Sequence, residues 1–436
     1  VIFAAEFSKT FGHSTIQAKE ADNHQKVKPQ FSNKWCDNIA KIALCFFGVA
    51  LWHKGLGNYS YPLLISAWIL DHNFYSLKET LKEPLVMAIV FFCLVLGVGV
   101  LWSDYPDSGY IRWNKYFAFL FIIPYMSLLN KARLLWAISG LAIGYFSILF
   151  LGVYYWVILG EQGIPYLKMT YLRFSLTVGI GVILAIYFGS ISKDNKTKLL
   201  LWFIAGLLLF VQFHQDGRGP LLTTILTSML LILMLFKTRI RILLGIMISM
   251  CIVVLVFFHS SDRFQQRLAQ AQKDIEFLQE KKFDTDLGYR LAIWDVGLHA
   301  FTHRPLFGYG TGMALNTYEK YVETYKDGRY QSLWRDPRFH FHNDWVEIGV
   351  FVGILGISAF IFFLWGWYQS LKKCGLATLG VGMVCYVFLA GMTDIFLAYT
   401  GLPLLLLAIS AVIIRRQKEF FSQCENIDET NNNAAI

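Results

Sequence analysis

The sequence predicts an all-α polytopic membrane protein of about twelve transmembrane helices with one large helical loop. Three observations carry that prediction. The 436 residues are 56% hydrophobic and only 16% charged. The apolar residues fall in long blocks rather than in stripes flanked by charge. Lys and Arg concentrate in alternate connections between the blocks, the pattern of a chain that crosses a membrane repeatedly.

Taken in order, the blocks at 37–53, 57–72, 84–103, 115–130, 132–158, 171–191, 198–214, 220–236, 240–258, 344–370, 376–396 and 397–414 read as spans. Each is near the ~20 residues a helix needs to cross ~30 Å of hydrocarbon. Asn58, Tyr59, Ser60 and Pro62 dilute the second block, and Asp394 and Thr400 interrupt the last two.

Positive charge is retained on the cytoplasmic side. Lys26, Lys28 and Lys34 precede the first span, and Lys78/Lys82, Lys131/Arg133, Lys193/Lys196/Lys198, Lys237/Arg239/Arg241 and Lys372/Lys373 fill alternate loops. Arg415, Arg416 and Lys418 follow the last span, so both termini are expected in the cytoplasm. The formal charge of +9 is therefore mostly topology and not a nucleic-acid surface. The organisation that follows is a cytoplasmic segment 1–36, nine spans in 37–258, an outer loop 259–343, three spans in 344–414 and a cytoplasmic tail 415–436, whose polar end CENIDETNNNAAI (424–436) is expected to be disordered. No apolar core of signal-peptide type occurs before about Trp35, so the first span is expected to direct insertion.

The long loop reads as an amphipathic helix over 262–282 and a second helix opening at Asp286. A turn RPLFGYGTG (304–312), a short helix around 315–325 and a polar run to His340 follow. None of the seven cysteines lies in this loop, so an oxidising exterior has nothing there to cross-link. No CxxC or HExxH spacing suggests zinc.

Several residues on the outer side can carry chemistry. Arg218 sits between Gly217 and Gly219 with Pro220 opening the next helix, as an accessible cation or as a headgroup anchor. Arg173 stands at the outer start of its span, where snorkelling is the plainer role. Arg290 follows Asp286 by one helical turn, a spacing that also suits a surface ion pair. Asp284-Thr285-Asp286 has the form of a DxD metal handle, but these residue types are also favoured helix caps. His340 and His342 flank Phe341, so in an extended segment they point the same way and in a helix they diverge. Asn343 suits a helix cap, and Gly349, Gly353 and Gly356 suit close helix packing. Asp394 is the main intramembrane charge, expected to pair with an arginine.

His342-Asn343, nine residues, then Gly353-Ile354-Leu355-Gly356 match the pattern H-[NSQ]-x9-G-x-x-G. Taken with Arg290 and Trp294, the Pro305, Gly308 and Gly310 turn, and Arg218, the chain resembles the bacterial O-antigen ligase and polymerase superfamily. The resemblance covers the central loop, its flanking helices and the overall topology. A chain of this length with one large late loop is more similar to the ligases.

The resemblance implies a GT-C-like glycosyltransferase architecture in the bacterial inner membrane, with the loop and the active site on the periplasmic side. The implied reaction moves a glycan from undecaprenyl pyrophosphate to a sugar hydroxyl of lipid A–core oligosaccharide, without metal or other cofactor. A neutral imidazole suits the general base near neutral pH, which makes His342 the candidate. Arg218 and Arg290 can hold the leaving pyrophosphate in forked geometry. His340, Asn343 and Arg173 complete the expected substrate contacts. An O-antigen polymerase would use the same donor with a different acceptor, and a transporter would need polar groups spread through the bilayer interior. A purely structural protein would need no clustered outer arginines and histidine.

Overall fold

The computed structural model describes residues 34–434 except 53, 72–73, 242–243, 247, 249–261 and 334–338. Among the described residues the chain is helical without a strand, apart from one isolated bridge between Ile164 and Met169. In chain order the helices are α1 (Lys34–Ala50), α2 (Lys54–Asp71), α3 (Phe74–Leu81), α4 (Pro84–Val98), α5 (Pro106–Phe117), α6 (Ile122–Leu128), α7 (Leu134–Leu159), α8 (Tyr171–Ile191), α9 (Asn195–Phe213) and α10 (Arg218–Phe236). They continue with α11 (Asp262–Gln279), α12 (Asp286–His303), α13 (Ala314–Val322), α14 (Asp344–Lys373), α15 (Ala377–Thr393) and α16 (Gly401–Ala434).

Six helices among the described residues are long and apolar enough to cross a membrane: Pro84–Trp102, Leu134–Leu159, Tyr171–Ile191, Asn195–Phe213, Arg218–Phe236 and Asp344–Lys373. Ala377–Thr393 is apolar but shorter. Among the described residues the chain is thus all-helical, with several helices of membrane-spanning length and apolarity where the blocks placed them. The block at 115–130 is not one helix: α5 ends at Phe117, a 3-10 turn covers Ala118–Phe121, and α6 restarts just ahead of Pro124. Proline has no N–H to donate and fits only the first turn of a helix, which explains the restart. Most of the block at 240–258 lies outside the described residues. The tail expected to be disordered instead continues α16 to Ala434. No glycine or proline follows Pro403, so the backbone contains nothing to stop it.

The helices pack as two compact units. Helices up to Glu83, those between Phe121 and Gly217, and the chain from Leu404 make one; Pro84–Leu120 and Arg218–Pro403 make the other. The first unit is pinned by a buried arginine. Arg133 donates to Asp37 at 2.7 Å and, through both terminal nitrogens, to Asp71 at 3.0 and 2.6 Å. This ties the start of α7 to α1 and to the end of α2.

The second unit is organised by a break in α14. Val352 and Gly353 leave helical geometry, with Gly353 at φ 64° and ψ −151°. Carbonyls before such a break lose their helical donors and must find others. The RPLFGYGTG turn supplies them. Tyr309 N–H donates to Val350 O at 2.9 Å and Gly310 N–H to Phe351 O at 2.8 Å, while Ile354 N–H donates back to Pro305 O at 2.7 Å. Thr311 continues the docking onto the other side, its N–H reaching Gly99 O at 3.0 Å and its hydroxyl Leu96 O at 2.6 Å. Gly353, expected to serve helix packing, is therefore the hinge that admits the loop. A Cβ there would lie 2.4 Å from the Leu306 carbonyl.

Gly353→Ala should lower stability by more than about 2 kcal/mol, since it adds both a left-handed non-glycine residue and a backbone clash. Gly206→Ala in α9, where a Cβ meets nothing within 4 Å, should be neutral or slightly stabilising. Thermal unfolding of both variants in one detergent measures the difference; equal midpoints would contradict the role given to Gly353.

Candidate active site

The segment between the loop and α14 alternates. Phe339 and Phe341 are buried, Phe339 stacked on Tyr318 with ring centroids 4.6 Å apart. Phe341 lies against α12 where Gly297 leaves room, since a Cβ there would sit 2.9 Å from its ring. A period of two sends alternate side chains to opposite sides. With both phenylalanines inward, His340 and His342 turn the other way together, their ring centroids 4.0 Å apart. Of the two arrangements open to the histidines, same-side and divergent, the same-side one is found.

His342 itself takes φ 48°, the left-handed region that a non-glycine residue rarely adopts. Its neighbours hold it there. Trp294 on α12 donates its indole N–H to Phe341 O at 2.7 Å. Asn343 caps α14, its Oδ1 accepting from Trp345 N–H at 2.9 Å and Val346 N–H at 3.2 Å. Asn343 is thus a cap by geometry, which does not depend on any contact with substrate.

His342 Nδ1 lies 3.0 Å from Asp394 Oδ1. Asp394 is buried just beyond the end of α15, and it also accepts from Tyr399 O–H at 2.5 Å and from Ile395 N–H at 2.9 Å. Three hydrogen bonds, from His342, Tyr399 and Ile395, thus converge on the Asp394 carboxylate. An ionised Asp394 fixes the proton of a neutral His342 on Nδ1 and leaves the Nε2 lone pair on the far edge of a partly exposed ring. That is the tautomer a general base requires. The arginine partner expected for Asp394 is thus replaced by a histidine. A lone carboxylate at the end of an apolar block was visible in the sequence, but Tyr399 carried no signal beyond its proximity to it.

The candidate arginines are placed as follows. Gly219 packs against Thr393, the neighbour of Asp394, and a Cβ on it would come within 3.0 Å of the Thr393 Cβ. Arg218 beside it opens α10, donating to Asp274 Oδ2 at 3.3 Å and also to Gln270, both on α11. Tyr289 lies 6.3 Å from His342 by ring centroids, and half-buried Arg290 is the next residue. The Asp286–Arg290 pair suggested by spacing is not formed among the described residues. Thr285 caps α12 instead, its hydroxyl accepting from Gly288 N–H at 3.1 Å, so this part of the DxD string serves the backbone. Arg173 belongs to the first unit, in the opening turn of α8 after its cap Thr170.

The donor set can also be read as a cation site. One ligand atom from each of His340, His342 and Asp394 falls within 4.8 Å of the others. Two imidazoles and a carboxylate suit a divalent transition ion, and such an ion would compete with the proton for the same nitrogens.

The geometry joins a strained histidine to a buried carboxylate, with Gly219 and Tyr289, the sequence neighbours of Arg218 and Arg290, packed close by. Residues 199–361 match the O-antigen ligase family model. The chain is also similar to the O-antigen ligase of Escherichia coli (strain K12), 24% identical over 226 residues. That alignment covers 51% of this chain and 52% of the relative, so the chain spans about half the length of the relative it matches. The O-antigen ligase match includes Arg218, Arg290, His340, His342 and Asn343 and ends before Asp394 and Tyr399.

Among the described residues, His340 Nδ1 has no hydrogen-bond partner. Burial, and secondarily the nearby His342, push its pKa down from 6.5 to about 3. Below about pH 6.5 the unfolded chain binds a proton that folded His340 refuses, so this residue's effect on stability is absent at pH 7 and increasingly unfavourable on acidification. By pH 5 the loss reaches about 2 kcal/mol. In EDTA-containing buffer, His340→Gln should lose less stability than wild type between pH 7 and pH 5; an identical slope would remove His340 as the neutral, buried member.

Proposed function

We propose that this chain is a glycosyltransferase of the O-antigen ligase kind, moving a glycan from undecaprenyl pyrophosphate to a sugar hydroxyl of lipid A–core oligosaccharide at the periplasmic face of the inner membrane. One observation carries the reading: His342, bound through Nδ1 to buried Asp394 at 3.0 Å, presents Nε2 at the mouth of a membrane-length helix. Both substrates in this reading are lipids, and their reacting bonds lie at headgroup height.

In the proposed step the acceptor hydroxyl oxygen attacks the anomeric carbon and its proton passes to His342 Nε2. The bond from that carbon to the phosphate oxygen breaks, and undecaprenyl pyrophosphate leaves with the electron pair. Asp394 steadies the imidazolium as it forms. Arg218 and Arg290 receive the charge that develops on the leaving group, which a permanent guanidinium can do without a metal. Arg218 already pairs with a carboxylate oxygen, of Asp274, at 3.3 Å. A polymerase of the same superfamily would use the same donor with another polyprenyl-linked repeat as acceptor, and product analysis with both acceptors separates the two.

His342→Ala should cut turnover by on the order of 10²–10⁴ while leaving donor binding nearly intact. Asp394→Asn should reproduce much of that loss by releasing the tautomer. Arg218→Ala and Arg290→Ala should weaken donor binding as well, with Lys restoring only part because an ammonium lacks the planar fork. Single-turnover transfer and donor affinity on the same folded variants test this; a wild-type rate in His342→Ala would remove it as the base.

Activity should also persist in excess EDTA. Loss of transfer that Mg²⁺, Mn²⁺ or Zn²⁺ restores would instead make His340, His342 and Asp394, or the 284–286 carboxylates, the ligands of a required ion.

A further inference from the structure

Behind the histidine segment lies an ion pair with no place in the chemistry described so far. Arg112, on α5, has a side chain only 13% exposed, and Glu347, one turn into α14, has a side chain that is 0% exposed. Their charged groups are 3.5 Å apart. Ionisable groups are costly inside a membrane protein, and a buried pair is often no more stabilising than apolar residues of the same volume. Its presence calls for a use other than stability.

The use is visible in what the two side chains hold. A second Arg112 nitrogen donates to Phe339 O at 3.2 Å, and the second Glu347 oxygen accepts from Phe341 N–H at 3.1 Å. These are the peptide groups on either side of His340. The next peptide is held by Trp294 at Phe341 O. Three successive peptides, from Phe339 to His342, are therefore each tied to a helix side chain. His342 occupies the left-handed conformation within that tied stretch.

We propose that Arg112 and Glu347 are positioning residues, a buried ion pair that grips the Phe339–Phe341 backbone and so aims His342 at Asp394. This rests on the reading of His342 as the base. With the grip removed, the segment relaxes from the strained conformation and His342 swings off Asp394, while the substrate-binding arginines are untouched.

The test uses the full-length protein in detergent or nanodiscs and two independent readouts. The first is the rate of His342 acylation by diethyl pyrocarbonate, followed by peptide mass spectrometry and normalised to exposed His303. It should rise at least about fivefold in Glu347→Gln and Arg112→Gln. It should not rise in Arg133→Gln, which breaks a comparable buried pair in the other unit. The second is transfer. Turnover should fall at least about tenfold with the donor KM within about twofold, and Glu347→Gln should cost nothing further in a His342→Ala background. Arg112→Lys should recover part of the rate.

Should single variants fold poorly, the double variant Arg112→Met with Glu347→Leu leaves no charge unpaired and should fold while still losing the grip. Unchanged acylation in a folded variant, or losses that add to His342→Ala, overturns the proposal. Faster acylation with undiminished transfer supports the positioning role and instead removes His342 as the base.

Discussion

The second unit depends on one requirement: backbone groups freed by a broken helix must be paired again. At Val352–Gly353 the long helix α14 opens, and the freed carbonyls of Val350 and Phe351 are met by the N–H groups of Tyr309 and Gly310. In an apolar setting an unpaired peptide group costs too much to persist, so the break and the loop that fills it stand or fall together. Two separate glycine motifs, one in the loop and one in α14, are thus two halves of a single joint. The joint also fixes where the loop sits relative to the start of α14, nine residues upstream, where the histidines stand.

The same logic runs through the site. His342 is held in a conformation it would not choose, and strain of that kind persists only where the surroundings over-determine it. Here they do: a guanidinium, a carboxylate and an indole each take one backbone group between Phe339 and Phe341, and the side chain of Asn343 caps the helix that follows. The result presents one ring edge of His342 to a buried carboxylate and the other outward. Its companion His340 turns the same way yet is kept neutral by burial, so two chemically identical side chains two residues apart have different capacities.

Legibility in the sequence was uneven for physical reasons. Helices such as 171–191 could be read directly because a continuous apolar block has one stable backbone solution in a bilayer. The loop helices were readable from caps and periodicity, as Thr285 and the opening of α12 illustrate. The broken stretch around Pro124 and the continued helix after Cys424 were misread, the first because composition overrode a single proline, the second because polarity was taken for disorder. At the site, His342 and its arginines stood out by motif and position, but the partner of Asp394 did not. Pairing between residues 52 apart has no local signature.

The sequence by itself determined that the chain is helical, that several helices are long and apolar enough to cross a membrane, and that imidazole and guanidinium groups gather at the ends of a few of them. Those properties follow from local composition and from the backbone's need to satisfy itself within each segment. Only the tertiary structure decided that Gly353 is a hinge, that Asp394 faces His342 and not an arginine, and that Arg112 and Glu347 meet behind the histidine segment. Each of these joins residues from helices distant in sequence, through single polar contacts whose energy depends on burial and on tenths of an ångström. Neither quantity is written in the order of the residues.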